Sequence, residues 1–198
     1  MKILIAADIF GHTPALDRFA QRLTEQLTEQ LGEQLIKTTI NIIDPYDGQT
    51  SFREEAAAYA FFTSQTNIAA YSEKISKFLK SDHIKPGSQF HTLIGFSVGA
   101  AAIWHLSADI AFAGIQQAVG FYGAQIRHHP EIRPVFDTRL VWPRSEPHFD
   151  VDHLILNLKD TPKVSCHKTG GLHGFMNERS QNFDADLYET WLGKINLE

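Results

Sequence analysis

Short runs of apolar and β-branched residues alternate along the chain with longer segments in which apolar residues recur at helical spacing. That alternation is the pattern of parallel strands joined by crossover helices. The strands it predicts are Lys2 to Ala7, Thr38 to Ile43, His91 to Phe96, Gln117 to Phe121, Arg139 to Trp142 and Pro162 to Cys166. Thr92-Leu93-Ile94-Gly95-Phe96 and Ala118-Val119-Gly120-Phe121 are nearly continuously apolar, as strands covered by helices on both faces should be. The first helix is the best marked, with Thr13 as N-cap, Pro14 at the first helical position and a stripe of Leu16, Phe19, Ala20, Leu23, Leu27 and Leu31. The local Leu-Thr-Glu-Gln repetition within it is too brief for a solenoid or coiled coil and reads as one core-facing helix. Asp44-Pro45-Tyr46-Asp47-Gly48 reads as a loop after the second strand. Ser51 to Leu79 is read as helical and is rich in aromatic residues: Phe52, Tyr59, Phe61, Phe62, Tyr71 and Phe78. These either pack against the sheet or line a substrate cleft, and core packing is the commoner use.

Composition narrows the function classes. A chain of 198 residues that is 43% hydrophobic buries one sizeable core, so a single domain over residues 1–198 is expected. Eighteen Lys and Arg stand against 23 Asp and Glu, and no basic block is present to follow a phosphate backbone, so nucleic acid is not an expected partner. The first apolar run, Lys2 to Ala7, has no small-residue cleavage site and is far below bilayer-spanning length. A cytoplasmic protein with no membrane partner is expected. The single cysteine, Cys166, cannot form an internal disulfide, in keeping with a reducing compartment.

The stretch richest in chemistry is Gly95-Phe96-Ser97-Val98-Gly99, a Gly-x-Ser-x-Gly nucleophile elbow. An apolar strand precedes it and a helical segment of small residues follows, which is the strand-turn-helix context that the elbow needs. A serine hydroxyl needs a base, so a histidine is expected later in the chain, oriented by a carboxylate. His173, in the glycine-rich loop Gly170-Gly171-Leu172-His173-Gly174-Phe175, fits best. The acid should follow the strand before that of His173, where Glu146, Asp150 and Asp152 stand. Glu146 lies nearest the strand end, Asp150 is second, and a carboxylate outside the site would cap the helix that starts near Asp152. A competing reading assigns His148, Asp150, Asp152 and His153 to a metal, as in a metal-dependent hydrolase.

Taken together, Ala7-Asp8-Ile9-Phe10-Gly11, the elbow, Ala118-Val119-Gly120-Phe121-Tyr122-Gly123 and His173-Gly174-Phe175 resemble, in order, the dienelactone hydrolase family; Asp44-Pro45-Tyr46 adds to the likeness. The resemblance implies an α/β-hydrolase-like three-layer sandwich with a mostly parallel sheet. It also implies an oxyanion hole formed by the backbone N–H groups of Val98 and Ile9. It favours His173 and supports Glu146, although Pro147 displaces the register before His148-Phe149. Two departures stand out. The archetypal members place a cysteine at the elbow, held by a glutamate from the first-strand loop, where this chain has Ser97 and Asp8; Asp8 either supports Ser97 or only satisfies backbone donors. The N-terminal strands common in the family are missing before the first matching segment, so a sheet of about six strands is expected. Candidate substrate contacts are Phe10, Arg53, Tyr122 and Asn177, the last standing where the family has a carboxylate-binding arginine.

The expected activity is that of a serine hydrolase acting on small carboxylic esters, lactones or thioesters through an acyl-enzyme, with no cofactor. The alternatives are a catalytically silent hydrolase fold used for binding, and the metal-dependent hydrolase above. Oligomeric state is left open.

Overall fold

The computed structural model describes residues 1–31, 38–48, 50–82 and 90–195. Six strands form one sheet in the order β2-β1-β3-β4-β5-β6, every neighbouring pair parallel. They are β1 (Lys2–Ala6), β2 (Thr39–Ile43), β3 (Thr92–Phe96), β4 (Gln117–Phe121), β5 (Asp137–Trp142) and β6 (Val164–Lys168). The helices are α1 (Pro14–Leu31), α2 (Glu55–Gln65), α3 (Ile68–Asp82), α4 (Val98–Leu106), α5 (Val151–Leu158) and α6 (Ala185–Gly193). The parallel sheet with crossover helices expected from the alternation is therefore present, in the three-layer arrangement that the resemblance implies.

Side-chain alternation along the strands divides the interior between the two faces of the sheet. Ile3, Ile5, Ile94, Phe96, Val119 and Phe121 pack beneath α1 and α6, against Phe19, Leu23, Leu27, Trp191 and Leu192. Leu4, Ala6, Leu93 and Ala118 meet Phe62, Tyr71, Ile75, Leu79, Ala102 and Ile103 from α2, α3 and α4 on the other face. A third group joins Trp104 of α4 to Leu140, Trp142, Val151, Leu154 and Leu158. Thr13 caps α1 through its Oγ1, which accepts the Leu16 N–H at 3.3 Å. The side chain of Leu31, the last member of the predicted stripe, and Gly32-Glu33-Gln34 of the repetition lie outside the described residues.

Several predicted boundaries are corrected, and β5, expected from Arg139, starts at Asp137. The helical region drawn from Ser51 to Leu79 is two helices, starting only at Glu55 and broken at Thr66, which is extended at φ −156° and ψ −175°. Asn67 supplies the reason: its Oδ1 accepts the Ala70 N–H at 2.9 Å and starts α3 afresh. The last strand begins at Val164 and not at Pro162, because Pro162 has no N–H for a ladder and Lys163 turns the chain at φ 65°.

The chain steps from β1 outward to β2 and then returns to the other side of β1 to lay down β3. Open α/β sheets bind ligands outside the carboxyl ends of the strands at such a reversal. The loops that follow β1 and β3 carry Asp8-Ile9-Phe10 and Ser97-Val98.

Candidate active site

Ser97 sits between β3 and α4 at φ 50° and ψ −110°, a backbone conformation costly for a residue with a Cβ. It is held there by its N–H donating to the Phe121 carbonyl at 2.9 Å and its carbonyl accepting the Ala101 N–H at 3.1 Å. The flanking glycines are a packing requirement. A Cβ on Gly95 would lie 2.6 Å from the Ala100 backbone, and one on Gly99 would lie 2.3 Å from the Ala6 carbonyl oxygen. The elbow can therefore fold α4 back over β3 and nest against β1 only without side chains at these two positions.

The loop after β6 brings His173 over the serine. Ser97 Oγ and His173 Nε2 are 3.0 Å apart, and His173 Nδ1 is 2.7 Å from Glu146 Oε1. With the Nδ1 proton donated to the carboxylate, Nε2 is the acceptor for the serine hydroxyl. The side chain of Glu146 is 6% exposed, and its backbone is fixed by a bridge to Phe149 in the turn beyond β5. The His173 backbone is anchored by Asn182 Nδ2, which donates to its carbonyl at 2.9 Å, and its ring stands 5.0 Å from that of Tyr122.

Ile9 and Val98 line the same cleft as Ser97, Glu146 and His173, with a volume of about 390 Å³. Val98 is the first residue of α4, so its N–H has no acceptor within the helix. The peptide after Ile9 is fixed from two sides. Tyr46 Oη donates to the Ile9 carbonyl at 2.6 Å, and the Phe10 N–H donates to Asp8 Oδ1 at 2.9 Å. The other Asp8 oxygen accepts from Asn177 Nδ2 at 2.6 Å. Burial pushes the Asp8 carboxyl up to about 6, opposed by the Phe10 and Asn177 hydrogen bonds and by the nearby His173. Asp8 thus lies behind the β1 loop as a support for its backbone.

Several predicted site residues are placed elsewhere. Asp150 caps α5, its Oδ1 accepting the N–H groups of Asp152 and His153 at 2.9 and 3.1 Å, so its carboxylate is engaged away from His173. Asp152 pairs with Lys168 Nζ at 2.6 Å. Among the described residues no cluster of three or more His, Cys, Asp or Glu could hold a metal, so His148, Asp150, Asp152 and His153 do not converge. Of the four candidate substrate contacts none lines the cleft. Phe10 is buried with the Arg179 guanidinium over its ring, Tyr122 is buried behind His173, Asn177 is taken up by Asp8, and Arg53 is exposed outside the cleft. Phe52 and Phe61 pack with Tyr46, so the aromatic segment is mainly core. Tyr59 is the exception: it is 51% exposed and lines the cleft. Glu55, Gln125, Arg127 and Gln181 also line it and were not singled out from the sequence. Glu55 and Tyr59 are four residues apart, the spacing that stacks two side chains on one helix face, but the side that α2 presents to Ser97 is a tertiary fact.

No protein-family model matches the chain. It is 30% identical over 148 residues to the uncharacterized protein YczH of Bacillus subtilis (strain 168), a match covering 73% of this chain and 69% of that one. Among solved structures it is similar to a dienelactone hydrolase-like promiscuous phosphotriesterase from metagenomic libraries. That match has TM-score 0.64 and 14% identity, and covers 98% of this chain and 83% of the other. It is also similar to the dienelactone hydrolase of Anabaena variabilis, with TM-score 0.58 and 16% identity over 96% of this chain and 84% of the other. A third similar structure is Est1E from Butyrivibrio proteoclasticus, with TM-score 0.59 and 10% identity over 98% and 85%. No described helix is long and apolar enough to cross a membrane.

Proposed function

We propose that this chain, which has the dienelactone hydrolase-like α/β-hydrolase fold and belongs to one sequence family with YczH, is a serine hydrolase of small carboxylic esters, lactones or thioesters. The observation that carries the reading is the continuous relay from Ser97 Oγ through His173 to Glu146, at 3.0 and 2.7 Å, opening into the cleft. Dienelactone hydrolases and esterases among the similar structures favour the same chemistry.

In the first half-reaction Ser97 Oγ attacks the acyl carbon while its proton passes to His173 Nε2, and Glu146 stabilises the imidazolium. The N–H groups of Val98 and Ile9 receive the negative charge that develops on the carbonyl oxygen. The bond to the leaving alcohol or thiol then breaks, and His173 returns the proton to it. Water attacks the acyl-enzyme by the same route, with His173 accepting its proton and restoring it to Ser97. Asp8 has a positioning role, holding the peptide beside the Ile9 N–H.

A serine-directed fluorophosphonate should label Ser97, and Ser97→Ala should lower hydrolysis of an activated short-chain ester by roughly a thousandfold or more. Labelling of another serine, or undiminished turnover in the alanine variant, would overturn the assignment.

A further inference from the structure

We propose that the cleft selects substrates carrying a positively charged group such as a substituted ammonium, seated between the carboxylate of Glu55 and the ring of Tyr59. This rests on the hydrolase reading and adds a substrate class to it. The two residues project from the same face of α2, one turn apart, into the cleft that holds Ser97 and His173. A carboxylate beside an exposed aromatic face is a pairing suited to an ammonium ion, which gains charge attraction from one and ring-quadrupole attraction from the other. Among the described residues Tyr59 is about half exposed, one of four large apolar side chains left open with Ile110, Leu156 and Phe183, and of these it is the one that lines the cleft. Among the described residues the Glu55 side chain makes no hydrogen bond or ion pair, and its charge opposes ionisation of Asp8 and Tyr122 behind the nucleophile.

The other charged and titratable groups of the cleft are accounted for. Glu146 is bonded to His173, and His148 stands on the Glu146 turn. Arg127, the cleft's cation, donates to the Ala124 carbonyl at 2.7 Å and lies 5.3 Å over the centre of the Phe149 ring, so it is anchored to its own wall. Among the described residues Glu55 is left as the cleft charge without a protein partner.

The test separates binding from turnover. The unreactive Ser97→Ala protein is titrated with acetylthiocholine and with its uncharged isostere, 3,3-dimethylbutyl thioacetate. A second pair, ethyl trimethylammonioacetate and ethyl 3,3-dimethylbutanoate, carries the charge on the acyl side. At least one ammonium compound should bind roughly tenfold more tightly than its isostere. Adding Glu55→Gln or Tyr59→Ala should remove the preference by weakening binding of the ammonium compound more than that of its isostere, which a purely structural role for either residue would not do. Equal binding within both pairs, or a preference that survives both substitutions, overturns the proposal. Tighter binding of a carboxylated analogue that is lost in Arg127→Ala overturns it in favour of an anion site. Hydrolysis of the neutral ester by the wild type, and its loss in Ser97→Ala, reports separately on the hydrolase reading.

Discussion

Replacing Asp8 by Asn should give a protein that gains in stability on the wild type as the pH rises. Burial pushes the Asp8 carboxyl up from 3.8 to about 6, so the native state holds this proton more tightly than the unfolded chain does. Below about pH 4 the group is protonated in both states and imposes no cost; above about pH 6 it is ionised in both, and the native state carries the full penalty. A gap of about two pH units, at 1.36 kcal/mol each, corresponds to about 3 kcal/mol lost between those limits. The amide has no such titration, but it has its own defect. In the variant the amide oxygen would take the place of Oδ1 opposite the Phe10 N–H, leaving the new NH₂ facing the NH₂ of Asn177, whose own oxygen is committed to the Arg179 N–H. An unsatisfied buried donor costs roughly 1–3 kcal/mol at any pH. Asp8→Asn should therefore be the less stable protein near pH 3.5 and equal or exceed the wild type near pH 8. Urea unfolding of both proteins across that range measures it, since contributions from groups that do not interact with Asp8 cancel in the difference. Parallel curves, or a wild type that gains on the variant as the pH rises, would refute the assignment of a buried carboxyl with a raised pKa.

Three further outcomes are expected. Glu146→Gln should lower kcat by roughly a thousandfold, because the amide no longer orients the histidine or stabilises its cation; Asp150→Asn should leave ester turnover within a few-fold. Asp150→Ala, which removes the acceptor for two N–H groups of α5, should cost about 0.5–2 kcal/mol in denaturant unfolding with kcat little changed. Gly99→Ala forces a Cβ to 2.3 Å from the Ala6 carbonyl oxygen and should destabilise the fold by about 3 kcal/mol or more, read as a fall in Tm.

The parts of the fold visible in the sequence are those encoded by local contrast. β3 and β4 stand out because they are apolar on both faces, and α1 because Thr13-Pro14 marks its start and Phe19, Leu23 and Leu27 recur on one side. The misread segments are those in which one side chain overrides its neighbourhood. Asn67 splits a continuous helical pattern by offering its own oxygen to Ala70, and Pro162 looks like part of a strand by its surroundings although it cannot join the ladder. The start of β5 is hidden because Asp137 and Thr138 are polar, yet Thr138 is buried and its N–H donates to the Lys163 carbonyl at 2.7 Å.

The candidate site divides along the same line, and the division has a physical cause. A nucleophile elbow is a local object: a strand end, a strained serine and two glycines set its geometry within five residues, so Gly95 to Gly99 is legible in isolation. His173 and Glu146 are legible because the order of strands places the loops after β6 and β5 at the same sheet edge as Ser97. The Asp8 to Asn177 contact spans 169 positions and depends on two loops meeting, so residue type alone makes Asn177 look like a substrate contact. Glu55 and Tyr59 are further still from legibility. Their facing Ser97 depends on where α2 begins, and Asn67 governs where α3 takes over from it. Sliding the sequence by one residue along α2 would rotate the face it presents by about 100°. The relay can thus be carried intact by short motifs while the chemistry of the cleft wall changes through helix register, so the polarity around Ser97 has to be argued from the position of α2 and not from the elbow.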